Sequence, residues 1–317
     1  MGLVILGVFA LVVSGRFTLL LTILLLVSAK GLRVRDLLKA FFIAKIVGII
    51  LLGVFVATGI FKIEVHQYYK FVSASYVQRM TINGSGTTLL HLSAISCMAL
   101  WFYLRSGKVG FAYYVICFVA NIASYAISMS TMGLLMGFGS LVLFLLVSKS
   151  IGLRSVFVKL AKLAIPILLI FSFGTAVLYG GNAFVDWLDK LFQGRIYYNS
   201  YFLSEYPISL FGHGMLSSEG NFDNSFVFVW VAYGVVAFVV LFGSMQKMIC
   251  TLAGESDWVS LAIIVAFLLV ALSESFYPSA AVNPSLFMLV PLLSFPKRKE
   301  TVEKSDLPNL SKANRGN

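Results

Sequence analysis

Apolar residues fill long stretches of this chain, and short polar links separate them. The stretches cover residues 2–15, 17–29, 40–60, 87–104, 109–128, 132–147, 161–179, 225–245, 258–273 and 284–295. Runs of this length without period-two alternation predict membrane-spanning helices and argue against a transmembrane barrel. The expected fold class is therefore all-α, a polytopic helical bundle of about ten spans. The first two stretches are short: thirteen helical residues give about 20 Å against a hydrocarbon core of about 30 Å. Either they form two tilted half-length helices, or they form one long helix with Arg16 buried midway. Burying an arginine in a bilayer costs several kcal/mol, which favours two helices with Arg16 near a surface.

The polar positions give the orientation. Lys30, Arg33, Arg35 and Lys39 share one link, followed by Lys45 in the next span. Arg105 and Lys108 share a second link, and Lys149, Arg154, Lys159 and Lys162 a third. With Lys247 and the tail, eighteen of the 24 basic residues fall on one side. That side is expected to be cytoplasmic. Arg16, Lys62, Lys70, Arg79, Lys190 and Arg195 then lie outside, as do links 61–86 and 180–224. The net charge of +11 belongs to this pattern and does not call for nucleic acid. A mean hydropathy of +0.93 excludes an ordinary soluble domain. The amino-terminal run lacks a positive leading region and reads as a first span rather than a cleavable leader. Residues 1–296 form the membrane domain in this reading, and 297–317 a disordered cytoplasmic tail. Three cysteines at unrelated spacing predict neither a disulfide nor a metal site.

The 180–224 link is too long for a plain connection. Phe184, Trp187, Leu188, Leu191 and Phe192 recur at helical spacing and predict an amphipathic interfacial helix, with Asp186 and Asp189 facing water. Gly194 breaks it, a second helix follows from Arg195 to Tyr206, and Pro207 ends that one. A flexible turn through His213 to Asn221 leads to the next span, which Asp223 is placed to cap. Each candidate side chain has a plain reading and a functional one. Arg195 is an interfacial arginine or an anion ligand, and His213 a solvated loop residue or a base. The tyrosines Tyr197 and Tyr198 belong to an aromatic belt or stack on sugars, as does Trp187. His91 is an interhelical hydrogen-bonder or a site residue, and Glu274 a helix-end acid or a second carboxylate.

One resemblance narrows these choices. Gly194–Arg195, the aromatic stretch Tyr197–Phe202, Pro207, Gly212–Gly214, Asp223–Asn224 and Gly234 together resemble the signature loop of the Wzy-type O-antigen and capsule polymerases and their O-antigen ligase relatives. Arg79 and Asn83 in the earlier link, and the serines of Ser128–Gly133, are weaker echoes. The turn after Arg79 departs from the family pattern, and the arginine expected after the serines is missing.

The resemblance implies an enzyme of the bacterial cytoplasmic membrane with an extracytoplasmic site. It would join polyprenyl-pyrophosphate-linked oligosaccharide repeat units, transferring the growing chain to the incoming unit. Membrane lipid, a flippase and a chain-length regulator are the implied partners; no cofactor is. Such a reaction needs positive charge on the leaving diphosphate and a base for the attacking hydroxyl. The outer links carry no D-x-D metal motif, so Arg79 and Arg195 are the expected diphosphate ligands and no metal is expected. Asp223, Glu274, His213 and His91 are the candidates for the base. Asp223 stands where the ligase relatives have histidine, with Asn224 beside it. A ligase-like glycan transferase or a lipid-linked oligosaccharide flippase is the alternative. Nearly uncharged span interiors weigh against transport.

Overall fold

The computed structural model describes residues 2–70, 75–82, 85–86, 88–214 and 222–293. The expected tail at 297–317 and Asn83 lie outside the described residues, as does the end of the expected flexible turn at 215–221. Helices dominate: α1 (Gly2–Ser14), α2 (Thr18–Ser28), α3 (Val34–Ala57), α4 (Thr88–Leu104), α5 (Phe111–Ser128) and α6 (Thr131–Lys149). They continue as α7 (Ile151–Ala161), α8 (Ala164–Leu178), α9 (Ala183–Leu191) and α10 (Arg195–Glu205). Residues 225–254 form one rod of three parts: α11 (Ser225–Phe228), a π-turn (Val229–Tyr233) and α12 (Gly234–Gly254). The last elements are α13 (Trp258–Ala271), a 3₁₀ turn (Pro284–Leu289) and α14 (Val290–Leu293).

By length and apolarity, α3, α5, α6 and the 225–254 rod are four candidate membrane spans. The α7–α8 pair, bent by 58°, would be a fifth. The remaining apolar helices, α1, α2, α4, α13 and the Pro284–Leu293 stretch, are shorter. The α1–α2 pair is a hairpin of two half-length helices, in which Gly7 lets α1 approach Leu20 and Ile23 of α2. Arg16 sits in its turn rather than inside a long helix, with its guanidinium 5.3 Å from the Phe228 ring centroid.

The basic links meet at one end of the bundle. Arg35 donates to the Leu104 carbonyl at 2.8 Å, and the Arg154 guanidinium lies 4.0 Å over the Trp258 ring. Gly107 packs against the same indole so closely that a Cβ there would collide with it. The stretch expected as a basic loop before the seventh span is instead helix α7. Ser150 caps it, accepting from the Leu153 amide at 3.2 Å.

The 61–86 link differs from the all-α expectation. It forms a small antiparallel sheet of β1 (Ile63–Lys70), β2 (Ser75–Ile82) and β3 (Ser85–Gly86), in that order. Ile63 pairs with Ile82 and Lys70 with Ser75. β-branched residues such as Ile63, Val65, Thr81 and Ile82 suit a pleated ribbon better than an open loop. The ribbon ends over an apolar cavity of about 550 Å³ between α3, α4 and α5, lined by Ile46, Gly53, Ala94, Trp101 and Ile127 among others.

Small residues set the packing of α4, α5 and α6. Gly133 and Gly137, one turn apart on α6, leave room for His91 of α4 and Asn121 of α5. His91 has no solvent exposure. Its Nε2 lies 2.8 Å from Asn121 Oδ1 and its Nδ1 3.1 Å from Ser128 Oγ. Asn121 Nδ2 in turn donates to the Leu134 carbonyl, so Oδ1 is left to accept from His91. The histidine is a satisfied interhelical link.

Candidate functional site

The end of the bundle opposite the basic links is built from α9, α10, the start of the 225–254 rod and the segment after α13. Asn182 starts α9 by accepting from the Phe184 and Val185 amides. Gln193 (φ +56°) and Gly194 (φ +85°) then turn the chain, and α10 begins at Arg195. That turn carries Asp189 under the first turn of α10. Its Oδ1 accepts from the Ile196 amide at 2.8 Å and the Tyr197 amide at 3.0 Å. The expectation that Asp189 faces water fails for this reason: two amides with no helical acceptor need a partner, and it is 2% exposed. Burial pushes its carboxyl above the usual carboxylate range, with the two amide bonds opposing. Asp186 instead accepts from the Gly180 amide.

Arg195 is itself buried, at 8% exposure. Its Nε donates to the Ser273 carbonyl at 3.0 Å and its Nη1 to the Phe192 carbonyl at 3.3 Å. Nη2 lies 3.4 Å from Asp223 Oδ2 and 3.9 Å from Glu274 Oε1. Three sequence-predicted residues thus meet, from α10, from the residue pair before α11, and from the segment after α13. Glu274 is not an exposed helix-end acid, because the chain turns back into the bundle after Ala271. Residues Ser273, Tyr277, Ala280, Asn283 and Ser285 of that return are all buried. Ser225 Oγ donates to the Glu274 carbonyl and accepts from the Tyr277 amide. Asn283 Nδ2 holds the Tyr277 carbonyl, and the Ala280 amide donates to Thr22 of α2.

Asn224, not Asp223, caps the rod. Its Oδ1 accepts from the Phe226 and Val227 amides, and its Nδ2 donates to Ser172 Oγ of α8 at 3.0 Å. Asn224 is the last extended residue before the helix, whereas Asp223 lies one position further out and turns to Arg195. The Asp223 side chain keeps 31% exposure and Glu274 7%. One guanidinium therefore faces two carboxyl groups, and the more exposed is Asp223. The cluster offers no surplus positive charge to a diphosphate. It does hold a partly exposed carboxylate in a fixed position, able to accept from a hydroxyl.

The flanking candidates fall into place around it. The Tyr198 phenol is pushed up by burial first, with Tyr197 and Asp223 adding. The rings of Tyr197 and Tyr198 lie 5.2 Å apart, and Tyr197 also meets Tyr179. Trp187 is 53% exposed and stacks on Phe184 along the outer face of α9. His213 is held in a turn, with its Nε2 at 2.7 Å from the Pro207 carbonyl. His91 is enclosed on α4 and presents no nitrogen to solvent. Arg79 lies on β2 opposite His66; its side chain is outside the described residues.

The part that sequence reasoning missed is why Gly212 and Gly234 occur together. The π-turn ends at Gly234 (φ +82°), leaving the next amides without acceptors from their own helix. The Val235 amide donates to the Ser209 carbonyl and the Val236 amide to the Leu210 carbonyl. Gly212 (φ +86°) packs on the Ala232 and Tyr233 backbone, and a Cβ at Gly234 would lie 2.3 Å from the Gly212 nitrogen. The expected flexible turn is thus docked on the rod by backbone contact as far as His213, whose amide donates to the Val231 carbonyl. Among the described residues, no three His, Cys, Asp or Glu side chains gather as a metal site. No family model, curated protein or solved structure matches the chain.

Proposed function

We propose that the chain is a Wzy-like polysaccharide polymerase of the bacterial cytoplasmic membrane. In this reading it joins polyprenyl-pyrophosphate-linked repeat units at the outer face. About ten apolar segments cross or half-cross the bilayer, with the short helices α1, α2, α4 and α13 counted among them. The observation that carries the reading is the meeting of Arg195, Asp223 and Glu274 at the end away from the basic links. These residues come from distant parts of the sequence, and two of them belong to the motif that resembles the family.

In this reading Asp223 keeps the role expected of it, whereas Arg195 is no longer the diphosphate ligand. Arg195 holds Asp223 and so acts as a positioning residue. Asp223 is the group that meets the acceptor hydroxyl, orienting it and taking its proton as the oxygen attacks the anomeric carbon. The lipid diphosphate leaves as that bond forms, so the glycosidic linkage is exchanged without a redox change. Tyr197, Tyr198 and Trp187 supply faces for sugar rings. The apolar cavity under the β-ribbon suits the lipid chain of a substrate.

The test is incubation of the purified protein with an authentic polyprenyl-pyrophosphate repeat unit, with chelator present, followed by gel separation. A ladder that disappears with Asp223→Asn supports polymerisation and this role for Asp223. A single transfer product points to the ligase-like relatives. No transfer by folded protein refutes the enzyme reading and leaves lipid translocation to be assayed.

A further inference from the structure

Because Arg195 is matched by two carboxyl groups, positive charge for an anion must come from elsewhere. Arg16 stands apart from them. It occupies the turn of the α1–α2 hairpin, between Gly15 (φ +67°) and the exposed Phe17, and is only half-buried. Its guanidinium faces the Phe228 ring, 5.3 Å from the centroid. No carboxylate among the described residues pairs with it.

The helix it precedes is open at its N-terminus. Phe17 occupies the N-cap position of the eleven-residue α2, and no side chain caps it. The first amides of such a helix need an acceptor and favour negative charge. A second, independent feature points to the same place. Tyr233, in the π-turn, is 1% exposed, and its hydroxyl is buried without any hydrogen-bond partner. Its polar neighbours are the Thr18 side chain, the Leu19 amide and Arg16. A buried hydroxyl left unpaired costs about 1–3 kcal/mol and calls for an explanation. The Phe228 and Tyr233 rings meet at 5.4 Å, so cation, hydroxyl and helix end form one cluster.

We propose that the α2 N-terminus, Arg16 and Tyr233 form a binding site for a phosphate-class oxyanion. The free amides and the guanidinium supply donors, and the Tyr233 hydroxyl adds a donor from the buried side. The chemistry fits a phosphate or diphosphate group, whether free or carried by a lipid. If the polymerase reading holds, this is where a lipid diphosphate would rest; the site itself does not depend on that reading.

Binding is measured on the full chain in detergent by isothermal titration, with inorganic pyrophosphate in one arm and geranyl diphosphate in the other. Saturable binding in either arm, weakened tenfold or more by Arg16→Ala, supports the site. Binding in the first arm assigns a free anion, and binding confined to the second a lipid-borne one. Tyr233→Phe is the companion variant: its unliganded melting temperature should equal or exceed that of the wild type, while its affinity falls severalfold. Wild-type protein that binds neither probe overturns the proposal, as does Arg16→Ala and Tyr233→Phe protein binding as the wild type does. These outcomes are independent of whether a polysaccharide ladder forms.

Discussion

Replacing Asp189 separates a buried cap from a buried charge. Both amides that it accepts come to the same oxygen, Oδ1. Asp189→Ala removes that acceptor from beneath the first turn of α10. Loss of an N-cap costs about 1 kcal/mol in ordinary cases. Here the amides are also sealed from water, and an unsatisfied buried donor costs about 1–3 kcal/mol. The expected loss is therefore about 2–4 kcal/mol. Asp189→Asn keeps a carbonyl oxygen in the same place, loses the charge at the helix end, and removes the cost of burying a carboxylate. The helix-end charge is worth about 0.3–1 kcal/mol, so Asn should stay within about 1 kcal/mol of wild type. The pH dependence carries a sign. Burial raises this carboxyl above its unfolded value, so the folded state binds more protons. Its favourable contribution is complete below about pH 4 and is lost as pH rises through the raised folded value. Thermal unfolding in detergent across pH 4–7 reads both effects. The Asn variant should lack this downward component. Equal loss of stability in Ala and Asn, at all pH values, would refute the single-oxygen cap.

Arg195→Ala should cost about 3–5 kcal/mol, because it strands Asp223 and Glu274 beside each other, and adding Glu274→Gln to it should recover part of the loss in a melting experiment. Arg195→Lys keeps the charge but cannot serve the Ser273 and Phe192 carbonyls together with Asp223, so its melting temperature should also fall. Gly234→Ala places a Cβ into the Gly212 backbone at a glycine-only conformation; size-exclusion chromatography should show aggregate, whereas Gly243→Ala on the open face of α12 should elute as wild type. His91→Leu leaves Asn121 and Ser128 without their shared partner and should cost about 2–4 kcal/mol by thermal melting; wild-type melting there would refute the interhelical link.

Helix positions along the chain were largely legible, because lipid-length apolar runs and their glycine or proline ends are local signals. The amphipathic stretch ending at Phe192 became α9, and Gly194 and Pro207 bracket α10 as expected. The Asp189 and Glu274 environments were not legible, because each depends on a chain reversal. A left-handed pair at Gln193–Gly194 brings Asp189 to α10, and the return after Ala271 brings Glu274 to Ser225, 49 positions away. Asp223 and Asn224 show how little separates two roles: one residue of register decided which of them caps the rod. The β-ribbon carried β-branched and aromatic residues without clear alternation, lay between apolar runs and so read as a link. The contacts that join Gly212 to Gly234, with the Ser209 and Leu210 carbonyls beside them, were visible only as a spacing of glycines, with no hint that the spacing encodes backbone contact.

The unequal helix lengths have a consequence for the surrounding lipid. α3, with 24 residues, is about 36 Å long, while α13, with 14, is about 21 Å. The short helix does not have to match a bilayer: eleven of its fourteen residues are buried among other elements, whereas α3 buries Leu38 alone. Matching the hydrocarbon thickness therefore falls to long helices such as α3, and α13 can stop short because protein rather than lipid meets its end. The irregular return that follows Ala271 is tolerated for the same reason, since Ser273, Tyr277, Ala280 and Asn283 are sealed inside protein, where backbone groups find partners that lipid would not supply.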